Sequence, residues 1–337
     1  MKVKKASAAL MGSTLGMLIL ILDSKTALLG IQQGIELCLR TVIPSLFPFF
    51  FISNLITSSM LGKENRLLRY VGKFCGIPSG AESLLLTALL GGYPVGAQII
   101  SQACNTGTLS KDDGRRMLGF CNNPGPAFIF GMVASLFSSP AAGWTLWISI
   151  ILSSLFTGFL LPEKANGHAL IRPVKESTPT SALTGSIRVM SYVCGWVILF
   201  RLLIVFLQRW FLWMFPTVVQ VLIAGILELS NGCISLDSIA QPGLRYLMCA
   251  GFLCLGGCCV TMQTASAAGN LGLKYYFPGK ILQASIGLIL SYGTQFFLFS
   301  KDERVDNWLF PATIFITGVI CVKILQKTCR KKLPLGV

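Results

Sequence analysis

Leu90-Gly91-Gly92-Tyr93-Pro94-Val95-Gly96-Ala97 interrupts one apolar run of this chain, and Gly119-Phe120-Cys121-Asn122-Asn123-Pro124-Gly125-Pro126 interrupts the next. The second half carries a matching pair. Gly225-Ile226-Leu227-Glu228-Leu229-Ser230-Asn231-Gly232 is followed by Gly251-Phe252-Leu253-Cys254-Leu255-Gly256-Gly257. Lipid offers no partner to a freed backbone N–H or C=O, so irregular backbone at membrane depth must be enclosed by protein or line a wet cavity. Interruptions at corresponding places in two halves point to the binding site of a transporter.

The composition is that of a membrane protein. Hydrophobic residues make up 53% and charged residues 12% of the 337 residues, and the mean hydropathy is positive. Apolar runs long enough for a ~30 Å hydrocarbon layer recur throughout. No long polar stretch is left for a separate catalytic domain, so the chain reads as one bundle of two halves. The net charge of +15 does not imply nucleic acid, because the basic residues sit in short loops, as the positive-inside rule requires. The tail from Lys327 to Lys332 suits contact with anionic lipid.

Lys2, Lys4 and Lys5 precede an apolar run from Ala6 to Leu22. With no small-x-small cleavage site before a polar mature domain, this is expected to be an uncleaved first span. Further spans are expected at about 41–61, 117–137, 143–161, 189–208, 246–267, 281–300 and 308–326, giving about eight in all. The segments 81–104 and 217–236 hold the Gly-Tyr-Pro and Glu-Leu-Ser-Asn-Gly interruptions. If both dip in and return, the loops with Lys63, Arg66, Arg69, Lys73, Lys111, Arg115, Arg116, Lys164, Arg172, Lys175, Arg188, Lys274 and Lys280 share the cytoplasmic side with both termini. The opposite side then keeps Lys25, Arg40, Arg209, Arg245, Lys301 and Arg304. If both segments cross, the bias nearly vanishes, so re-entrant hairpins are favoured.

Each half then reads span, hairpin, broken span, span. Three crossings per unit invert the second copy, an inverted-repeat architecture. The expected divisions are an N-terminal span and interfacial helix over 1–40, a first unit over 41–161, a cytoplasmic linker over 162–188, an inverted second unit over 189–300, and a last span with basic tail over 301–337. Within the first division, residues 26–40 have the pattern of a helix lying at the outer interface. Basic residues at helical steps over 63–76 predict a cytoplasmic surface helix.

The candidate site lies at the interruptions. Gly92, Tyr93, Pro94, Val95 and Gly96 have the composition of a tight turn. A helix starting after it would aim N–H groups at an anion. Asn122 and Asn123 are adjacent amides in mid-span and offer both donors and acceptors. Glu228 is an ionisable residue within an apolar segment, functional by default and suited to a coupling H⁺ or Na⁺. Ser230 and Asn231 would complete its cluster, and Gly257, Thr261 and Gln263 stand opposite. Small and hydroxyl residues also serve close helix packing. Arg201 is expected to snorkel toward the outer interface.

Other chemistry is not expected. The chain has twelve cysteines and one histidine, His168; Cys254, Cys258 and Cys259 form no CxxC pair and have no histidine beside them. No metal or other cofactor is therefore expected. Neither a phosphate loop nor a Ser/His/Asp or HExxH set occurs, so an enzyme is not expected.

Pro44-Ser45-Leu46-Phe47-Pro48-Phe49-Phe50, the Gly92–Ala97 tip, the Gly119–Pro124 break and the Gly225–Gly232 stretch together resemble the YlbJ-type (SpoVV) sporulation integral membrane proteins. These belong to the wider nucleoside-recognition, or gate-domain, group. The likeness runs from about residue 41 to 325, although this chain is short for the type and has a compact middle loop. The resemblance implies a gate-type fold related to concentrative nucleoside carriers, with hairpins facing each other. It also implies a role in spore formation, moving dipicolinic acid across the outer forespore membrane. Three functions are thus in view: a secondary transporter of a small polar or anionic solute, a nucleoside transporter, and a non-transporting sporulation scaffold or gate for a separate partner. An oligomer is compatible with each.

Overall fold

The computed structural model describes residues 2–60, 66–162 and 178–307, and within the C-terminal stretch residues 313–314, 316–318, 320 and 323–324. Most of the expected last span over 308–326, the basic tail, His168 and most of the linker lie outside the described residues. No strand occurs among the described residues.

Helix α1 (Lys2–Leu22) is followed by α2 (Ser24–Leu37), whose N-terminus is capped by the Asp23 carboxylate. A single wide turn over Cys38–Val42 leads directly into α3 (Ile43–Met60). Helix α4 (Arg66–Cys75) precedes a hairpin of α5 (Glu82–Gly91) and α6 (Val95–Asn105). Helix α7 (Lys111–Cys121) begins at a reciprocal cap. The Ser110 hydroxyl accepts from the Asp113 N–H at 3.1 Å, satisfying one group that a helix start leaves open, and donates to the Asp113 carboxylate at 2.6 Å. The chain is then non-helical over 122–125, resuming as α8 (Pro126–Phe128) and short turns to Leu136. Helix α9 (Pro140–Leu160) and the long α10 (Pro179–Trp210) each begin with proline, at the position that needs no N–H donor.

A second hairpin is made by α11 (Thr217–Leu227) and α12 (Leu229–Ser235). Helices α13 (Pro242–Leu255) and α14 (Gly257–Ala268) are halves of one span, separated by Gly256 in the left-handed conformation at φ 80°. That conformation ends α13 and suits glycine. Helix α15 (Tyr276–Leu298) closes the bundle.

Among the described residues, five stretches are long and apolar enough to cross a membrane: 24–56, 140–160, 179–210, 242–271 and 276–298. They make the chain a helical membrane protein. The expected span over 117–137 is not a continuous helix, because it contains the 122–125 break.

Side-chain contacts fix which ends lie together. Ser101 donates to the Ala268 carbonyl, and Arg115 to that of Leu271. Asn54 donates to Ser186. The open end of the first hairpin, the start of α7, the end of α14 and the start of α10 therefore share one end, here termed the basic end. At the other end Arg209 pairs with Asp23, Arg245 with Asp237, and the Gly243 N–H donates to the Glu303 backbone carbonyl. The second hairpin opens there, so the two hairpins enter from opposite ends.

Three sequence expectations need correction. Residues 26–40 are not a separate interfacial helix. They run continuously into α3 and pack antiparallel against α10, where a Cβ on Gly34 would lie 2.9 Å from the Ile198 Cα and one on Gly30 3.0 Å from the Leu202 Cα. Two glycines one turn apart let the backbones approach, a packing device of membrane helices. Arg116 is not a loop residue. It is 1% exposed and donates to the carbonyls of Cys75, Gly76, Gly158, Leu161 and Pro162, so one guanidinium closes the C-terminal ends of α4 and α9. Lys280, also expected in a loop, is 2% exposed and lies inside α15.

Candidate functional site

The tip of the first hairpin rests on the first break. Gly92 has φ 74°, and a Cβ there would sit 2.7 Å from the Gly125 nitrogen. Only glycine accommodates both the conformation and the approach. The tip of the second hairpin rests on the second break, since a Cβ on Gly257 would lie 2.8 Å from the Ile226 carbonyl oxygen. Each freed stretch of backbone is thus buried against the other interrupted element of its own half, as the absence of water in lipid demands.

Tyr93 joins the halves. Its hydroxyl donates to the Leu253 carbonyl at 3.1 Å, immediately before the second break. Asn122 makes a second cross-connection, donating to the Thr264 hydroxyl at 2.8 Å. Asn123 donates to the Phe120 carbonyl at 2.7 Å and to Ser154 at 3.0 Å, tying the first break to α9.

Lys280 occupies the centre of this network. Its ammonium donates to Asn123 Oδ1 at 2.9 Å and to Gln283 Oε1 at 3.0 Å. A longer contact of 3.4 Å reaches the Tyr93 hydroxyl. The ammonium also lies 5.2 Å from the centre of the Tyr93 ring, within the range of cation–π attraction. All its hydrogen-bond partners are neutral.

Glu228 is held differently. Its carboxylate accepts from the Ser230 N–H at 3.0 Å, the Asn231 N–H at 2.7 Å and the Asn231 side-chain amide at 2.6 Å. It is thereby the N-cap of α12, a favourable place for negative charge. The oxygen of the same Asn231 side chain accepts from Arg201 at 2.8 Å, and Arg201 also donates to Gln33 at 2.8 Å. Arg201 therefore points inward to α12 and α2, which corrects the snorkelling expectation. The Asn231 amide gives its donor face to the carboxylate and its acceptor face to the guanidinium.

A cavity of about 40 Å³, room for a water molecule or two, lies between the tips. Gly92, Tyr93, Glu228, Ser230 and Gln263 line it together with Val42, Val193 and Val197. Asn122 and Asn123 are not in its lining. Pro94 starts α6 and lines a larger cavity of about 280 Å³ beside it, where Gln263 is also present. Val95 and Gly96 are buried in the first turn of α6. Thr261 bonds back to the Gly257 carbonyl of its own helix. No group of three or more potential metal ligands occurs among the described residues.

Over 139 residues the chain is 26% identical to the sporulation integral membrane protein YlbJ of Bacillus subtilis (strain 168), which covers 39% of this chain and 33% of that protein. The chain thus matches about a third of the length of this relative. No protein-family model matches the chain. No solved structure matches it.

Glu228 and the tips were visible in the sequence as polar and glycine-rich breaks in apolar runs. Lys280 was missed because it follows the polar Gly269–Lys274 loop and looks like the end of it. The signal that places it inside the helix is Pro278. Proline favours the first turn of a helix, which puts Lys280 at the second turn, ahead of an apolar run.

Proposed function

We propose that this protein is a secondary transporter of a small polar or anionic solute, built as an inverted repeat of two gate units. The observation that carries this reading is the convergence of two hairpin tips and two helix breaks on buried Lys280 and Glu228 beside a cavity. Buried ionisable groups in membrane proteins mark solute and ion pathways, and transporters bind at paired helix interruptions near the bilayer midplane. Glu228 is the candidate for H⁺ or Na⁺ coupling. Similarity to YlbJ supports a sporulation-related membrane role. By the family resemblance, dipicolinic acid is the first solute to test and the outer forespore membrane the place to look. The positive-inside distribution supports cytoplasmic termini. No chemical conversion of the solute is part of this reading.

A nucleoside is the weaker alternative. The Asn122 and Asn123 amides that would read a base already donate to Thr264, Phe120 and Ser154, and the Tyr93 ring is engaged by Lys280. The test is flux into vesicles holding purified protein, with dicarboxylates and nucleosides compared side by side. Saturable dicarboxylate flux is the expected result. Nucleoside flux without dicarboxylate flux would replace the substrate assignment, and no flux of any solute would favour a scaffold.

A further inference from the structure

The cavity of about 280 Å³ lies between α6, α10 and α14 and is lined by Pro94, Gln98, Arg188, Tyr192, Gln263 and Ser266 among others. Its volume approaches the lower end of the range for small-molecule sites. Its composition is selective. Arg188 supplies a cation and Tyr192 a ring, Gln98 and Gln263 supply amides, and no carboxylate lines it. Arg188 makes no hydrogen bond or ion pair with any described residue. Tyr192 is 57% exposed, so its ring face is open to a ligand.

Gln263 gives this cavity a direction. It is 5% exposed and lines both this cavity and the smaller one between the hairpin tips. Its amide nitrogen has only the Cys259 sulfur, at 3.3 Å, as partner, and its amide oxygen has no protein donor among the described residues. A buried amide so weakly engaged is costly unless a solute or water completes it. The same side chain therefore borders both spaces.

We propose that the Arg188–Tyr192 cavity is a vestibule on the basic end that captures a small organic anion and passes it inward beyond Gln263. A guanidinium takes a carboxylate through two parallel hydrogen bonds, and the tyrosine face takes a flat apolar body. The proposal rests on the transport reading for the passage inward, but the binding step stands by itself. The cavity commits to a soluble anion over a lipid headgroup because it leads to Gln263 and the hairpin tips.

The test is benzoate binding to the purified full chain in nanodiscs of neutral phosphatidylcholine, read by calorimetry, with uridine as the uncharged control. Benzoate should bind and uridine should not. Arg188→Gln should weaken benzoate binding about tenfold, equivalent to about 1.4 kcal/mol, with the melting temperature unchanged because Arg188 has no partner among the described residues. Arg188→Lys should recover part of the loss, and Tyr192→Ala should weaken binding more than Tyr192→Phe. Unchanged affinity in Arg188→Gln, or no benzoate binding at all, would overturn the vestibule. So would Arg188-dependent binding of phosphatidylglycerol, tested in a second set of nanodiscs that contain it, that benzoate fails to displace. Wild-type flux with an unaffected Arg188→Gln would leave transport standing and remove the vestibule. Arg188-dependent binding without flux would do the reverse.

Discussion

The two hairpin tips deal with buried charge in opposite ways. At the second tip the charge belongs to the tip itself: Glu228 sits between α11 and α12 and is satisfied within three residues by Ser230 and Asn231. At the first tip the charge arrives from elsewhere. Lys280 comes from α15 and meets Tyr93 of the tip and Asn123 of the break, residues separated from it by 187 and 157 positions. The carboxylate is stabilised by a helix start and the ammonium only by neutral oxygens and a ring. A buried ion without an opposite charge costs several kcal/mol after relaxation. The first tip therefore depends on a distant helix for its charged group, and the second is the more self-sufficient.

Four substitutions probe that difference. The largest expected effect is at Gly279, where an added Cβ would run into the Gly119 carbonyl group. Both partners are backbone, so Gly279→Ala should cost about 3 kcal/mol, the upper part of the overpacking range. Thermal melting in detergent would measure it, and an unchanged midpoint would show that α15 does not fix Lys280 at this crossing.

Next is Glu228→Gln. The amide cannot accept from all three donors, and a helix cap is lost, at a cost of about 2 kcal/mol. Hydrogen exchange should accelerate over 229–235 and little elsewhere. Exchange that spreads equally to the first hairpin would contradict the self-sufficiency of the second tip.

Asn123→Ala comes third. It removes an acceptor from Lys280 and two donors from the first break. Solute binding should weaken about ten- to a hundredfold, since about 1.4 kcal/mol corresponds to tenfold. Binding that stays within twofold of wild type in folded protein would place the solute elsewhere. The smallest effect is expected for Tyr93→Phe, which keeps the ring over Lys280 and loses the bond to Leu253. That is worth about 1 kcal/mol, again read from melting, and a loss above about 3 kcal/mol would mean the hydroxyl does more than join the halves.

Much of the fold was legible because lipid leaves few options. Residues 90–97 and 225–232 read as hairpin tips from glycine, proline and polar residues in apolar runs, and both form tips. The breaks at 122–125 and 256 were read from the same signal. What escaped was the fate of charge near helix ends. Arg116, Arg201 and Lys280 were assigned to loops or interfaces because a single sequence shows where a cation lies along the chain but not what lies opposite. Arg116 meets carbonyls from α4 and α9, Arg201 meets Asn231 and Gln33, and Lys280 meets both halves, all contacts between distant segments. The α2–α10 seam was hidden for a related reason. Polar Gln32, Gln33 and Glu36 suggested an interface, whereas Gly30 and Gly34 on another face bring the helix onto its partner.

The most direct test of the central claim is flux of dipicolinate and other small dicarboxylates in vesicles holding wild type, Lys280→Met or Glu228→Gln, with folding checked by melting. Lys280→Met leaves the buried Asn123 and Gln283 oxygens without their donor and should lower the melting midpoint, yet the protein that remains folded should lose flux at least a hundredfold. That loss corresponds to about 2.7 kcal/mol. Glu228→Gln should retain some flux with an altered dependence on pH or Na⁺. Wild-type flux and unchanged ion dependence in both folded variants would contradict the account, because the meeting point of tips and breaks would then hold neither the solute nor the coupling ion.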